Sequence, residues 1–235
     1  MTIKHICFDG DGVLWSGTNE GYIQCFHRAI AEVGVSLNLE KVHERAMLHW
    51  GKSAVHVIEG IIPEFPLLVD EAVERFHALL ITDFFRDTAQ PIPGVKDALA
   101  ELHARGDLTL SLITGMISPN RTVICKRFGI EDYLDIAFSP TDSDDPKLQK
   151  TTGYHLKEIM RQEGLAPSEV VVVGDSGSDL VMAQNCNASF VAVLSGHFTR
   201  EQALELGVAD ILESAAELPQ WVRGRERERE QSIVL

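Results

Sequence analysis

The chain has 235 residues, 45% of them hydrophobic and 24% charged, and its formal net charge is −14. This hydrophobic fraction is sufficient for a buried core, either in one large domain or in a core with a smaller partner domain. The negative charge argues against nucleic acid or an anionic membrane as a partner, because non-specific binding to either needs clustered positive charge.

The cysteines and the N-terminus are typical of a soluble, cytoplasmic protein. The four cysteines are scattered and include no Cys-x-x-Cys pair, so we expect neither a disulfide framework nor a structural zinc site. Asp9 comes too early for the apolar region of a signal peptide. No apolar run approaches the roughly 20 residues of a membrane-spanning helix, so no membrane partner is expected.

Short apolar runs rich in β-branched residues alternate with helical patterns along most of the chain. The predicted strands are residues 3–8, 108–113, 136–138, 170–173 and 190–194. The predicted helices are residues 95–104, 119–128, 154–163 and 179–185. This alternation predicts an α/β fold with a doubly wound, Rossmann-like parallel sheet, and the ligand site of such a sheet lies off the carboxyl ends of its strands.

The stretch 15–88 has a different pattern, because its apolar residues recur at spacings of three and four almost throughout. We therefore predict an all-helical domain inserted into a core made of residues 1–14 and 89–235. Near the C-terminus, residues 223–230 read RGRERERE and alternate in charge sign from Arg225 onward. Such alternation is typical of a solvated helix extension or a frayed terminus.

Polar and charged residues collect where the predicted strands end. These residues are Asp9, Asp11, Thr114, Gly115, Lys147, Lys150, Asp175 and Asp179. Taken singly, each segment has an ordinary explanation as a turn or a helix cap. Together they bring carboxylates to one sheet edge, where the charges repel unless a cation holds them. Carboxylate and carbonyl oxygens suit Mg²⁺, and a metal with a lysine would give an acidic protein a local phosphate site.

Three of these segments resemble the motifs of the haloacid dehalogenase superfamily. FDGDGVL, LITG and VVVGDSGSD match its first, second and fourth motifs in the expected order. The resemblance covers nearly the whole chain and is to phosphatases with a helical cap after the first motif, of the phosphoglycolate phosphatase and β-phosphoglucomutase type. It implies a Mg²⁺-dependent hydrolase of a small-molecule phosphomonoester.

The resemblance also implies a role for the residues of the first motif. Asp9 would be the nucleophile that forms an aspartyl-phosphate, and Asp11 would protonate the departing alkoxide and then activate water. The Mg²⁺ ligands would be the Asp9 carboxylate, the Asp11 backbone carbonyl and Asp175. Asp179 would hold a metal-bound water or the motif lysine.

The phosphate oxygens would be bound, by the same resemblance, by Thr114, Gly115 and a lysine. Relatives place this lysine before a helix and a Gly-Leu-x-Pro connection into the fourth motif. Counting back from the fourth motif along that connection leads to Lys150. The prolines that usually follow the lysine are absent here, so Lys147, which directly follows a proline, is an alternative. We prefer Lys150.

The inserted cap is expected to supply specificity, and Lys52 is the best candidate because its surroundings resemble the place where relatives put polar substrate contacts. We expect a small phosphorylated metabolite as substrate and a monomer or homodimer. The alternatives are a sugar phosphomutase, a phosphonoacetaldehyde hydrolase that uses a cap lysine as a Schiff base, and a catalytically silent binding module. Asp11 does not suit the second, and a silent module would need none of the motif residues.

Overall fold

The structure is a computed structural model that describes residues 2–50 and 52–233, with side chains described as far as residue 227. Its strands, in chain order, are β1 (His5–Phe8), β2 (Trp15–Ser16), β3 (Gln90–Pro91), β4 (Thr109–Ile113), β5 (Ile136–Phe138), β6 (Val170–Gly174), β7 (Ser189–Val193) and β8 (Asp210–Leu212). Its α-helices are α1 (Thr18–Glu32), α2 (Leu39–Met47), α3 (Ala54–Ile61), α4 (Val69–Leu80), α5 (Asp83–Arg86), α6 (Val95–His103), α7 (Ser118–Phe128), α8 (Tyr154–Glu163), α9 (Gly177–Cys186), α10 (Arg200–Glu205) and α11 (Leu218–Ile233).

The chain forms two compact units. One consists of Met1–Ser16 and Pro91–Leu235, and the other of Gly17–Gln90. Both boundaries lie two residues later than those predicted from the sequence, which followed residues 14 and 88. Trp15 belongs to the first unit because its buried side chain packs on the loop that precedes it. Ala89 belongs to the second because its amide donates to the carbonyl of Arg86 at the end of α5.

The first unit is built on a six-stranded parallel sheet with the order β5-β4-β1-β6-β7-β8. Strand β1 lies between β4 and β6, so that Phe8 is opposite both Leu112 and Val173. The Rossmann-like α/β fold predicted from the sequence is confirmed. Because neighbouring strands end in register, the residues that follow β1, β4 and β6 lie at one edge of the sheet.

Strand β6 shows why the sheet forms where the sequence predicted it. Val170, Val171, Val172 and Val173 are all 0% exposed, as expected for a parallel strand covered on both faces. Helices α8 and α9 pack against this part of the sheet through Leu156, Ile159, Met182 and other buried residues. Burying one such side chain stabilises the fold by about 1.5–3 kcal/mol.

Strand β8 and helix α10 of this unit were not predicted from the sequence, nor was the two-residue strand β2. Strand β8 has three residues, one of them charged, and all are only half-buried. Its Asp210 accepts a hydrogen bond from Trp221 Nε1 at 3.0 Å and pairs with Arg225. Contacts with α11 therefore hold a strand whose own sequence is too short and too polar to predict.

The charged C-terminal stretch continues helix α11, as expected, but it is not simply solvated. Arg225 pairs with Asp210, Arg223 pairs with Glu101, and Glu226 accepts from Arg105 Nη2 at 2.6 Å. Partly exposed ion pairs of this kind contribute about 0–1 kcal/mol each. They anchor the described part of the tail to the first unit, a contact that charge alternation alone does not predict.

The second unit is helical, as predicted, and consists of α1 to α5 with one turn of 3₁₀-helix, Pro66–Leu68. Phe26 of α1 and Phe76 of α4 stack with their ring centroids 4.2 Å apart. The Asn38 side chain caps α2 by accepting from the Lys41 amide at 2.8 Å. Over the described residues of both units, no helix is long and apolar enough to cross a bilayer.

A buried histidine lies in the central strand of the sheet. His5 is 0% exposed, with Nε2 2.8 Å from Ser111 Oγ and Nδ1 3.4 Å from Glu163 Oε2. Burial lowers the pKa of this imidazole below its ordinary value, although the nearby carboxylates of Glu163 and Asp135 oppose the shift. Folding therefore favours the uncharged form of His5.

We expect this histidine to weaken the fold in mild acid. Since the folded-state pKa is lowered, the unfolded chain binds a proton first, and stability falls as the pH drops from the ordinary pKa of 6.5 toward the folded value. One such group contributes at most about 1.4 kcal/mol per pH unit. Urea unfolding between about pH 7.5 and 5.5 should show a shallower loss of stability for His5→Gln than for the wild type. The exposed His103 provides a control, and an equal change with His103→Gln would contradict the assignment.

Candidate active site

The loop after β1 is a tight turn that holds two aspartates two residues apart. The carbonyl of Gly10 accepts hydrogen bonds from the amides of Leu14 and Trp15, at 2.8 and 3.2 Å. This turn follows the Asp9 amide, which donates to Val173 O on β6 at 3.0 Å. Asp9 is thus fixed to the carboxyl edge of the sheet, as predicted from its position at the end of a strand.

Asp9, Asp175 and Asp179 form a buried carboxylate cluster. Each contributes one oxygen, and these oxygens lie within 4.8 Å of one another. The three residues are 7%, 1% and 0% exposed. Asp9 follows β1, Asp175 follows β6, and Asp179 lies in the first turn of α9. The parallel register of the sheet is what brings these distant residues together.

Asp175 is held by a residue that sequence reasoning missed. Its Oδ2 accepts from the His197 amide at 2.8 Å and lies 2.7 Å from His197 Nδ1. The hydrogen bond with Asp175 raises the pKa of His197 despite partial burial. Gly196 allows this close approach, since a Cβ there would lie 1.9 Å from Asp175 Oδ2. The available signal was the Ser-Gly-His sequence directly after the predicted strand 190–194.

Asp179 completes the capping box of helix α9, whose N-cap is Ser176, and also reaches the cluster. Its Oδ2 accepts from the amide and from Oγ of Ser176, at 3.2 and 2.6 Å. These bonds satisfy groups at the helix start and fix the direction of the carboxyl, whose Oδ1 points to Lys150. Asp179 is therefore not the N-cap itself, a position that Ser176 occupies, but it completes the capping box and also belongs to the cluster.

Lys150 lies among these carboxylates. Its Nζ is 2.6 Å from Asp9 Oδ1 and 2.6 Å from Asp179 Oδ1, and its side chain is 12% exposed. Burial opposes the charge, but Asp179 and Asp9 outweigh burial and hold the pKa of the ammonium above its usual range. The alternative, Lys147, is exposed on the 3₁₀-turn Pro146–Leu148. The structure thus brings Lys150 to the cluster.

The turn that carries Lys150 is fixed by its neighbours. The backbone carbonyl of Thr151 accepts from Asn185 Nδ2 of α9 at 2.8 Å. The hydroxyl of Thr152 donates to the carbonyls of Lys147 and Gln149, both at 2.8 Å. These bonds explain how a segment without the usual prolines still presents its lysine to the sheet edge.

The cluster has more negative charge than Lys150 can balance. Burial raises the pKa of the Asp9 carboxyl well above its ordinary value, and Asp179, Asp11 and Asp175 add to the effect, while Lys150 opposes it. A divalent cation at the cluster would supply the missing positive charge and keep Asp9 ionised. Buried carboxylate oxygens are also the ligands that hard cations prefer. These residues therefore fit a divalent metal.

The second predicted motif lies beside the same turn. Thr114 follows β4, is fully buried, and its amide donates to Phe138 O at 3.2 Å. Its Oγ1 accepts from the Met116 amide at 3.2 Å. Gly115 is exposed, and its carbonyl accepts from Thr141 Oγ1 at 2.7 Å. Thr114 and Gly115 thus stand at the sheet edge where phosphate binding was predicted, and that role stays a prediction.

Lys52 is an exposed residue of the helical unit. Its amide donates to the His49 carbonyl at 3.1 Å, just before helix α3. The geometry of that unit alone does not assign it a ligand, so its part in specificity stays a prediction. The role of the Asp11 backbone carbonyl as a metal ligand also stays a prediction.

The fold and the site define a class of protein in which buried carboxylates and a lysine lie at the carboxyl edge of a parallel sheet. Residues 3–187 match the model of the haloacid dehalogenase-like hydrolase family. The chain belongs to this family, and the resemblance noted in its motifs is confirmed.

Individual relatives resemble the chain at low sequence identity. The phosphoglycolate phosphatase of Yersinia pestis is 30% identical over 204 residues, which cover 83% of this chain and 82% of that protein. The phosphonoacetaldehyde hydrolase of Bacillus cereus strain AH187 is 26% identical, and the match covers 97% of this chain and 86% of that protein. Phosphoglycolate phosphatases of Vibrio vulnificus match over a shorter segment, and the chain spans 58% of their length.

Solved structures show the same architecture. A HAD-superfamily hydrolase of subfamily IA from Geobacter sulfurreducens superposes with a TM-score of 0.71 at 22% identity, covering 94% of this chain and 96% of that chain. At this identity the likeness shows the shared fold. The chain therefore has the fold of this family, a Rossmann-like core with a helical cap.

The two lysines provide a direct test of the third motif. We expect Lys150→Ala to lower kcat/KM for an aryl phosphate by about 100-fold or more, because it removes a buried charge beside Asp9. Lys147→Ala, a change in an exposed lysine three residues away, should alter kcat/KM by less than about twofold. The reverse ranking would show that the third motif lies at Lys147.

Proposed function

We propose that the protein is a Mg²⁺-dependent phosphatase that hydrolyses the phosphomonoester of a small metabolite through an aspartyl-phosphate on Asp9. The observation that carries the proposal is the position of Asp9, buried at the sheet edge with its Oδ1 2.6 Å from Lys150 Nζ. A second aspartate, Asp11, follows two residues later on the same turn. This pairing supplies a nucleophile and an acid–base group for one phosphoryl transfer.

Asp9 and Asp175 are the carboxylates that would hold Mg²⁺, together with the backbone carbonyl of Asp11. Asp179, whose Oδ1 lies 2.6 Å from Lys150 Nζ, would hold that lysine or a metal-bound water. When bound, the ion would offset the negative charge between the nucleophile and the phosphoryl group. The buried position of the three carboxylates, with one lysine among them, supports this assignment. Mg²⁺ is preferred because the ligand oxygens are hard and substrate phosphates commonly complete its shell.

The first step is attack by an Asp9 carboxylate oxygen on phosphorus. As the new P–O bond forms, the bond to the ester oxygen breaks, and that oxygen takes its electron pair and the proton of the Asp11 carboxyl. Lys150, the Thr114 hydroxyl and the Gly115 amide bind the equatorial oxygens, which keeps the attacking and leaving oxygens in line. The alcohol product then leaves the site.

The second step returns the enzyme to its starting state. The Asp11 carboxylate accepts a proton from water as the water oxygen bonds to phosphorus, and the P–O bond to Asp9 breaks. Inorganic phosphate is released, and Asp11 is protonated again for the next cycle. One carboxyl group thus acts as acid and then as base.

Phosphonoacetaldehyde hydrolase is the second candidate, because the Bacillus cereus enzyme of that name matches 97% of this chain. The Schiff base of such an enzyme would need a lysine from the helical unit, for which Lys52 is the candidate. Asp11 favours the phosphatase, since protonation of a leaving alkoxide is needed for esters. A sugar phosphomutase would share the aspartyl-phosphate but return the phosphoryl group to sugar.

Partners and location complete the proposal. We propose a monomer or homodimer that acts in the cytoplasm on a small phosphorylated metabolite, without nucleic acid or membrane. The four cysteines are free thiols, and all are buried, which supports a reducing compartment. Burial raises the pKa of Cys7, Cys25 and Cys125 to about 12, so these thiols are unreactive.

A panel of phosphorylated metabolites provides the test. We expect Mg²⁺-dependent release of inorganic phosphate from at least one member, loss of activity with chelator, and recovery when Mg²⁺ is added back. Asp9→Asn should abolish turnover, because it removes the nucleophile and one metal ligand while changing little volume. Ca²⁺ should substitute poorly, since its larger and looser coordination shell disturbs in-line geometry.

Several results would contradict this function. Activity of Asp9→Asn within tenfold of the wild type, measured on a correctly folded variant, would exclude Asp9 as nucleophile. Full activity after exhaustive chelation would show that the carboxylate cluster has another purpose. Conversion of a hexose 1-phosphate into its isomer would establish a mutase, and acetaldehyde release from phosphonoacetaldehyde would establish the second candidate.

Lys52 provides a test of specificity in the helical unit. We expect Lys52→Ala to lower kcat/KM for the best panel substrate by about tenfold, as for loss of one charged contact. Hydrolysis of a small aryl phosphate should change by less than about twofold. Lys41→Ala, at an exposed lysine of α2, is the matched control. An unchanged ratio between the two substrates would make Lys52 an ordinary surface lysine.

A further inference from the structure

The side chain of Trp15 is in contact with the proposed acid–base group. Its Nε1 donates a hydrogen bond to Asp11 Oδ1 at 2.8 Å, and the residue is 0% exposed. We propose that Trp15 is a positioning residue that fixes the Asp11 carboxyl for proton transfer to the leaving group. The proposal rests on the phosphatase function proposed above and adds a residue that the superfamily motifs do not include.

The indole itself is held in one place. A Cβ at Gly10 would lie 2.3 Å from Trp15 Cζ2 and 2.6 Å from Trp15 Cη2, so the six-membered ring lies directly on the Gly10 backbone. That Cβ would also lie 2.9 Å from Thr114 Oγ1. The ring is therefore packed on the short segment between the two catalytic aspartates, close to the second motif.

The backbone fixes the same geometry. The Trp15 amide donates to the Gly10 carbonyl at 3.2 Å, and the Trp15 carbonyl accepts from the Gly12 amide at 2.7 Å. Asp11 lies inside this closed turn, four residues before the tryptophan. A rigid donor on a rigid turn restrains the rotation of the Asp11 side chain, which would otherwise sample several rotamers.

The hydrogen bond has a chemical consequence. Because Oδ1 accepts the indole N–H, the exchangeable proton of the Asp11 carboxyl is carried by Oδ2. That proton moves to the ester oxygen as the P–O bond breaks, and Oδ2 later accepts a proton from water. A misplaced carboxyl loses part of the advantage of a positioned acid, which is about 100-fold or more.

Packing offers a simpler explanation, since a buried indole N–H needs an acceptor and any nearby carboxylate would satisfy it. In that case Asp11 would stabilise Trp15, and loss of the N–H would affect all substrates equally. The two explanations differ in how the effect depends on the leaving group. An alkoxide needs a proton to depart, whereas p-nitrophenolate does not.

The experiment compares Trp15→Phe with the wild type on two substrates, the best alkyl phosphate of the panel and p-nitrophenyl phosphate, with Mg²⁺ present. Phenylalanine keeps an aromatic ring against Gly10 but has no N–H. We expect kcat/KM to fall by about tenfold or more for the alkyl ester and by less than about threefold for the aryl ester. The parameter kcat/KM reports the steps up to formation of the aspartyl-phosphate. Hydrolysis of that intermediate, which both substrates share, therefore does not affect the comparison.

A double-mutant cycle isolates the contact. In an Asp11→Asn background, Trp15→Phe should cause no further change in the ratio of the two kcat/KM values, because its only route to the chemistry is lost. A further fall of that ratio in the double variant would overturn the proposal. So would an equal fall for both substrates, or no fall, in the single variant.

Two controls keep the outcome clear. If Trp15→Phe does not fold, the sulfur analogue of tryptophan, in which a benzothiophene replaces the indole, keeps the shape without the N–H and must give the same selective loss. If the wild type shows no Mg²⁺-dependent phosphatase activity, the proposed function itself fails. An active wild type with no selective loss refutes only the role of Trp15.

Discussion

The ion pairs of Lys150 with Asp9 and Asp179 are the interaction on which the site depends. Each distance is 2.6 Å, and all three side chains are nearly inaccessible to water. Without the ammonium, buried carboxylates would face one another uncompensated, which is costly in a medium of low dielectric. With it, the cluster is still negative, and this residual charge makes the site suitable for a divalent cation.

The parallel sheet makes this interaction possible. Asp9, Thr114 and Asp175 follow strands that end in register, and a helix start adds Asp179 to the same edge. The outer parts of this unit contribute in a different way, through supports such as His197, which binds the carboxyl of Asp175 twice. The site is therefore built from strand ends, one helix cap and a loop, each of which fixes a side chain before any ligand arrives.

The first turn shows how closely backbone and chemistry are linked. Gly10 has no side chain, and the space is filled by the ring of Trp15, whose N–H reaches Asp11. One small residue, one large aromatic and one carboxyl thus depend on each other within six positions. We expect substitution of any of them to disturb the other two, because the ring of Trp15 contacts both Gly10 and Asp11.

The alternation of strands and helices, the helical insert and the carboxylates at the strand ends could all be predicted from the sequence, because hydrophobic periodicity and Gly–Asp turns are local properties of the chain. It left Lys147 and Lys150 open and missed His197 and strand β8. These points depend on contacts between residues that are far apart in the chain. Which lysine reaches Asp9, and which histidine reaches Asp175, depends on the path of loops between distant strands, and β8 exists through its contacts with α11 rather than through its own three residues.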